Sequence, residues 1–360
     1  MRGWSLVLVG FAGCTMYGPS EPGVDPVDGG AGVDVVTPRS PLALPLVPPD
    51  PAGNPTSATK VALGRLLFWD PILSGDRDVA CATCHDPDLA YTDGLRTPVG
   101  VARNSMTILD AAWNGSTTAT PVPRAEEAPM FWDNRAHSLE AQARGPITTA
   151  AEMMGASYTE ATIFPELVAR LSAIPAYVTQ FSAAFGPGAI TEARILAAIA
   201  AFERTLTTPE TSYDRFVNGD TSALTAQQQR GLELFKVIGC ANCHTGPMFS
   251  DFELHALRVP SPPGAPPDAG DGANRFRTAT LRNITLTAPY MHNGVFASFQ
   301  DVFGFYRLAG QNGIDPKLRG VRPPTPQEAP DVIAFLRALG DAPFDRTIPT
   351  SVPSGLPPGG

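Results

Sequence analysis

A five-residue pattern occurs twice in the chain: Cys81-Ala82-Thr83-Cys84-His85 and Cys240-Ala241-Asn242-Cys243-His244. C-x-x-C-H is the attachment pattern of a c-type haem: two thiols are spaced to form thioethers with the two vinyl groups, and the next imidazole reaches the iron. The same cysteines could serve two other chemistries, a zinc centre built from two C-x-x-C pairs or a pair of redox dithiols. Neither explains a histidine directly after the second cysteine in both copies. Two covalent haems are therefore expected, one on Cys81, Cys84 and His85, the other on Cys240, Cys243 and His244.

The length of 360 residues, 43% of them hydrophobic, allows two domains with a core each. Of five cysteines only Cys14 lies outside the motifs, so no pair remains for a structural disulfide. Arg2, the apolar run Trp4 to Phe11 and the box Phe11-Ala12-Gly13-Cys14 read as a lipoprotein-type signal over residues 1–14, with cleavage before Cys14 and a lipid anchor on it. An ordinary or unprocessed signal with a free Cys14 is the competing reading. Both export the chain, which places it in the periplasm. The apolar run is too short to cross a bilayer, and no later run is long and apolar enough. The net charge of −9 disfavours nucleic acid and anionic lipid surfaces and favours a small basic redox partner.

Residues 15–57 are rich in Pro, Gly and Asp and are expected to form a disordered tether; the tail 347–360 reads the same way. Helical periodicity runs from Thr59 to Phe68, stopped by Asp70-Pro71, and again over 135–144, 164–171, 176–185, 191–206, 225–235 and 326–339. Each motif is thus entered from a helix, and alternating strand patterns are nearly absent. The expected fold is mainly α, with two c-type cytochrome-like haem domains over 58–206 and 207–346. Residues 260–272 read as a surface loop.

The chain resembles the bacterial di-haem cytochrome c peroxidases and their MauG-type relatives from about Thr59 to Asp341. The resemblance rests on Leu63-Gly64-Arg65, Leu67-Phe68-Trp69-Asp70, Arg103-Asn104-Ser105, Phe131-Trp132-Asp133-Asn134-Arg135-Ala136, Leu139-Glu140-Ala141-Gln142, Glu152-Met153, Phe202-Glu203-Arg204-Thr205-Leu206, Leu281-Arg282-Asn283 and Pro289-Tyr290-Met291-His292-Asn293-Gly294. It implies that peroxide reacts at haem 1, on His85, while haem 2, on His244, passes electrons from a small cytochrome c or copper protein. Glu152 matches the family's acid/base, Gln142 its pocket amide, and Pro146 lines the same side. Trp132 matches the tryptophan between the haems, and Asn104 with the carbonyls of Thr287 and Pro289 the interhaem calcium site. Without the resemblance, Glu152 and Gln142 read as solvated helix residues and Trp132 as a core aromatic. A homodimer is common in the family and nothing in the sequence tests it.

Two departures matter. No histidine lies between His85 and His137, and Val101 stands where many family peroxidases carry a histidine that caps haem 1, so haem 1 is expected to be open at rest. His137 reads as an exposed residue. The family's distal ligand position on haem 2 falls on Tyr306 rather than a methionine, as in the MauG-type branch; the alternative is a packed core tyrosine, with haem 2 taking His292 or no distal ligand. His255 reads as a surface or propionate-contacting residue, and Arg204 and Arg282 as propionate partners, helix caps or bridges between domains. The expected function is peroxide reduction. MauG-like oxidation of a partner protein's aromatic residues and plain electron carriage are the competitors.

Overall fold

The first element, α1 (Ala58–Trp69), begins where Ser57 caps it, its hydroxyl accepting from the Lys60 amide, and ends where Pro71 forces Asp70 into an extended conformation. The computed structural model describes residues 38–98, 100–309 and 315–359, and from Arg39 onward they form one compact unit. After α1 come α2 (Cys81–Cys84), α3 (Leu139–Ile147), α4 (Glu160–Ser172), α5 (Pro175–Phe185), α6 (Glu192–Glu203), α7 (Ser212–Val217), α8 (Ala226–Val237), α9 (Phe299–Ala309) and α10 (Ala329–Arg337). One two-residue antiparallel pair, β1 (Leu254–His255) with β2 (Phe276–Arg277), is the sheet content among the described residues. The molecule is mainly α, as expected.

The two halves repeat one plan. In the first, α1 crosses α6 at Gly64, where an added Cβ would stand 1.9 Å from the Ala198 carbonyl oxygen. In the second, α8 crosses α10 at Gly231, where a Cβ would stand 1.9 Å from the Asp331 carbonyl oxygen. Only glycine lets backbones approach so closely. Four residues beyond each glycine sits a phenylalanine, Phe68 or Phe235, and the chain then leads into a C-x-x-C-H motif. Leu63, Leu67, Phe164, Leu167, Ile195 and Ile199 fill the first core; Leu232, Phe235, Val332, Phe335 and Leu339 fill the second. Each such buried side chain contributes about 1.5–3 kcal/mol.

The repeat continues past the motifs. A bridge closes Met130 on Ala136, and another closes Tyr290 on Phe296, each around a tight turn. A serine follows each turn, Ser138 before α3 and Ser298 before α9. Asp110 and Asn283, at φ 61° and 60°, each begin a short 3-10 turn, and the Asn283 amide donates to the Asp110 carboxylate at 2.9 Å. Arg282, 1% exposed, makes a bidentate pair with Asp214 at 2.7 and 2.8 Å.

Two expectations fail here. The tail is not disordered over 347–359: Val352 is buried with Phe68, Trp69 and Phe202, Ser354 donates to Asp70 at 2.7 Å, and the Gly359 amide donates to the Trp69 carbonyl at 2.8 Å. Residues 39–57 are likewise seated. Leu44 is fully buried against Trp113, Met248 and Phe252, its amide donates to Asp214 at 2.9 Å, and Arg39 donates to the Pro209 carbonyl. A few apolar anchors and saturated backbone groups hold segments whose composition alone reads as linker. Residues 15–37, the signal and Cys14 lie outside the described residues. No helix among those described is long and apolar enough to cross a membrane.

Candidate haem and peroxide site

Both motif histidines are held the same way. His85 Nδ1 lies 2.9 Å from the Tyr91 carbonyl oxygen, and His244 Nδ1 lies 2.9 Å from the Phe249 carbonyl oxygen. Tyr91 and Phe249 have φ values of 59° and 50°, the left-handed region that side chains other than glycine seldom adopt. In both halves, therefore, a strained residue five or six positions on takes the Nδ1 hydrogen and leaves Nε2 as the free donor nitrogen. Metal-bound histidines are oriented in this manner, and the bond raises their basicity as ligands. Burial lowers the proton affinity of both imidazoles, so both are neutral, the form that binds a metal.

The four motif cysteines form no disulfide with one another. Burial keeps them protonated, pushing Cys84 and Cys240 up to about 11 and Cys243 to about 12. Unpaired thiols beside an oriented neutral imidazole fit covalent haem better than a zinc centre, which needs thiolates gathered at one point. Beside the second motif is a cavity of about 610 Å³ lined by Cys240, Cys243, His244, Trp132, Arg277 and Tyr306, among others. That is the size of a cofactor pocket. Arg277 is 6% exposed, its Nε has no partner, and it makes no ion pair among the described residues. Its hydrogen bonds go to the Pro129 carbonyl and Met106 Sδ. A buried guanidinium left in this state is costly unless an anion joins it, and haem propionates are such anions. Sequence reading missed Arg277, because its signal is burial without a counter-charge.

Tyr306 enters the second cavity from α9. Burial raises its phenol well above the ordinary range, with the Cys240 and Cys243 sulfurs adding to the shift. It stands eight residues after Ser298, and Pro146 on α3 stands eight residues after Ser138. The repeat thus offers a phenol in the second half where the first half offers a proline, which has no donor atom to give.

On the first-half side, Glu152 sits in a π-helical turn, Ala150–Met154, that packs on α3, the helix bearing Gln142 and Pro146. Such turns recur at functional sites because they aim a side chain off the helical path. Glu152 is half-buried; burial raises its proton affinity, Arg135 opposes this, and its charge is felt at Cys84 of the first motif. A carboxyl so placed, against the helix that bears Gln142 and Pro146, has the chemistry of a general acid/base.

Trp132 is at the seam between the halves. Its indole Nε1 donates to the Asn104 carbonyl at 2.9 Å, and the Asn104 amide donates to the His292 carbonyl at 2.7 Å. The Asn104 side-chain nitrogen donates to the carbonyls of Leu95 and Arg96 at 2.9 and 3.2 Å, leaving its oxygen as the acceptor. Asn104, Thr287 and Pro289 all line the same cavity as Trp132.

Other candidates take structural roles. His137 is exposed, in the turn before α3. His255 is not a surface residue: it is 6% exposed and bridges Asp315 at 3.0 Å and Asp251 at 3.2 Å, with Lys317 also on Asp251. Arg204 closes α6 and pairs with Glu140 at 2.7 Å, and Arg282 is saturated by Asp214.

Comparison with known proteins matches this arrangement. A family model described as di-haem cytochrome c peroxidase covers residues 58–222. The methylamine utilization protein MauG of Methylorubrum extorquens is 35% identical over 364 residues, 96% of each chain. A cytochrome-c peroxidase of a Pseudomonas species is also 35% identical, over 83% of this chain and 85% of its own. The solved structure of a MauG-like protein associated with microbial copper homeostasis superposes with a TM-score of 0.70 at 29% identity, covering 83% of this chain and 94% of that one. The chain belongs to the family of di-haem cytochrome c peroxidases and MauG proteins.

Proposed function

We propose that the protein is a periplasmic peroxide-dependent oxidoreductase with two haem domains, in which hydrogen peroxide reacts at the first motif and electrons pass through the second. The observation that supports this reading is the Pro146/Tyr306 pair: at equivalent places of the repeat the first half has a proline, with no atom to donate, and the second has a phenol lining the cavity beside its motif. Cys81, Cys84 and His85 would hold haem 1; Cys240, Cys243, His244 and Tyr306 would hold haem 2. A bound c-type haem supplies redox-active iron, which the side chains do not.

The chain's own residues handle the protons. Glu152 takes the proton from the inner oxygen of hydrogen peroxide and returns it to the outer oxygen, which leaves as water when the O–O bond breaks heterolytically. Gln142 orients the peroxide by donating an amide hydrogen bond. Two electrons and two protons per peroxide complete its conversion to two waters. The electrons come from a small cytochrome c or copper protein, drawn to the acidic surface of this chain, and cross the seam at Trp132. The oxygens of Asn104, Thr287 and Pro289 are hard donors suited to a calcium ion that would stiffen this seam. Export on a lipid anchor at Cys14 and a homodimeric state complete the proposal.

Tyr306 favours a second reading, in which oxidising equivalents from peroxide are spent on aromatic side chains of a partner protein, with both haems, when bound, supplying the redox-active iron. A phenolate prefers oxidised iron, which suits holding such equivalents rather than receiving electrons from a donor. Steady-state peroxide consumption with reduced cytochrome c separates the two: donor-dependent turnover supports the peroxidase, and its absence alongside prompt reaction of the oxidised protein supports the second reading.

A further inference from the structure

The segment after α10, residues 341–359, leaves the second half and runs as a strap over the first. Its contacts converge on the proximal side of the first motif. The Tyr91 hydroxyl, from a fully buried ring, donates to the Asp345 carbonyl at 2.7 Å, and the carbonyl of the same Tyr91 receives His85 Nδ1. Arg65 fixes Asp345 from the other side, pairing with its carboxylate and donating to the Thr347 carbonyl at 2.9 Å. Phe344 lies 6.2 Å from the Tyr91 ring, between centroids. Farther along, Gly359 passes so close to the motif that a Cβ on it would stand 2.6 Å from Ala80 Cβ.

The second half does the same job differently. Phe249, the counterpart of Tyr91, has no hydroxyl; its ring is clamped by Tyr213 at 4.9 Å, Phe335 at 5.8 Å and Phe235 at 6.0 Å. A strained backbone persists only where its surroundings over-determine it. In the second half an aromatic cluster does so. In the first, the Tyr91 amide donates to the Asp86 carbonyl at 2.7 Å and Phe68 packs on the ring at 6.3 Å, and the strap adds the tie that holds the hydroxyl.

We propose that Tyr91 is a positioning residue for haem 1 and that the strap 341–359, through the Asp345 carbonyl, sets the hydrogen bond that orients His85. The proposal rests on haem 1 being attached at Cys81, Cys84 and His85. A strong Nδ1–H···O bond makes the imidazole a better donor and favours oxidised iron; loosening Tyr91 weakens that bond. The strap thereby tunes haem 1 alone.

The test uses the full-length, haem-loaded protein with Tyr91→Phe, which keeps the ring, as Phe249 does, and removes the tie. Resonance Raman of the reduced protein reads the iron–histidine stretch, and spectroelectrochemistry reads both potentials. The haem 1 stretch should move to lower frequency and its potential should rise, while haem 2 stays put. Arg65→Gln, which frees Asp345, should move haem 1 the same way and by less, and serves if Tyr91→Phe does not accumulate. Ser354→Ala, which cuts a tie that does not reach Tyr91, should leave haem 1 unmoved. Unchanged haem 1 signals in Tyr91→Phe, or an equal shift in Ser354→Ala, would overturn the proposal. Peroxide turnover in the same samples tests the function separately: a wild-type protein that ignores peroxide would overturn that reading and leave the proximal shift standing.

Discussion

The indole of Trp132 meets the imidazole of His292 edge-on, with ring centroids 6.4 Å apart and planes at 72°. The two residues hold equivalent places in the two halves, each two positions after the start of a bridged turn. The internal repeat therefore folds onto itself at the seam, as it does again where Asn283 donates to Asp110. His292 is stacked on Phe276 at 3.6 Å, and burial lowers its proton affinity to about 4, so a neutral aromatic column flanks Trp132.

Glu152→Gln should keep both haem spectra and lower peroxide cleavage by about 10²–10⁴-fold, the usual worth of a positioned acid/base. Stopped-flow mixing with peroxide measures it. An unchanged rate would remove Glu152 from the chemistry.

Tyr306→Met should raise the potential of haem 2, because a thioether stabilises reduced iron better than a phenolate does. The optical spectrum and potential of haem 2 are the readouts. A variant with the wild-type haem 2 spectrum would show that Tyr306 is a packing residue.

Glu203, on α6, is 4% exposed, with one carboxyl oxygen unpartnered. Burial raises its proton affinity from 4.5 to about 8; Glu140 adds to this and Arg204 opposes it. Between those values the folded chain holds a proton that the unfolded chain has lost, so this group's stabilisation is complete at low pH and is lost as pH rises through the window. The loss is on the order of a few kcal/mol. Glu203→Gln escapes it, so in urea unfolding the variant should gain on the wild type from about pH 5 to about pH 9. A gap that stays constant with pH would contradict this.

Gly231→Ala should pry α8 from α10 at the Asp331 carbonyl and destabilise the protein by about 1–3 kcal/mol or more, as overpacking does. Haem content at the second motif should fall with it. Chemical denaturation and haem quantification together check this, and an unaltered midpoint would mean that the crossing is looser than the backbone shows.

The chemistry was legible where it depended on side-chain type. Both C-x-x-C-H motifs and the helices that lead into them can be read along the chain, whereas Glu152 and Tyr306 stand out only through the family resemblance. Backbone groups cannot: the Tyr91 and Phe249 carbonyls that orient the two histidines depend on a positive φ that no residue preference announces. Arg277 and Glu203 look like ordinary surface charges until burial is known. Helix α9 was within reach, since Phe299, Val302, Phe303 and Tyr306 follow helical spacing, yet it falls outside the stretches expected to be helical. The strap and residues 39–57 mislead because Pro and Gly dominate their composition, while one anchor such as Val352 or Leu44 decides their seating.

The most direct test of the central claim is low-temperature EPR of the fully oxidised protein, repeated after stoichiometric peroxide with no reductant. A haem 1 that is open at rest beside a ligated haem 2 predicts one high-spin and one low-spin signal, both changing promptly with peroxide. Two low-spin signals that ignore peroxide until one electron is added would contradict it and place a cap on haem 1.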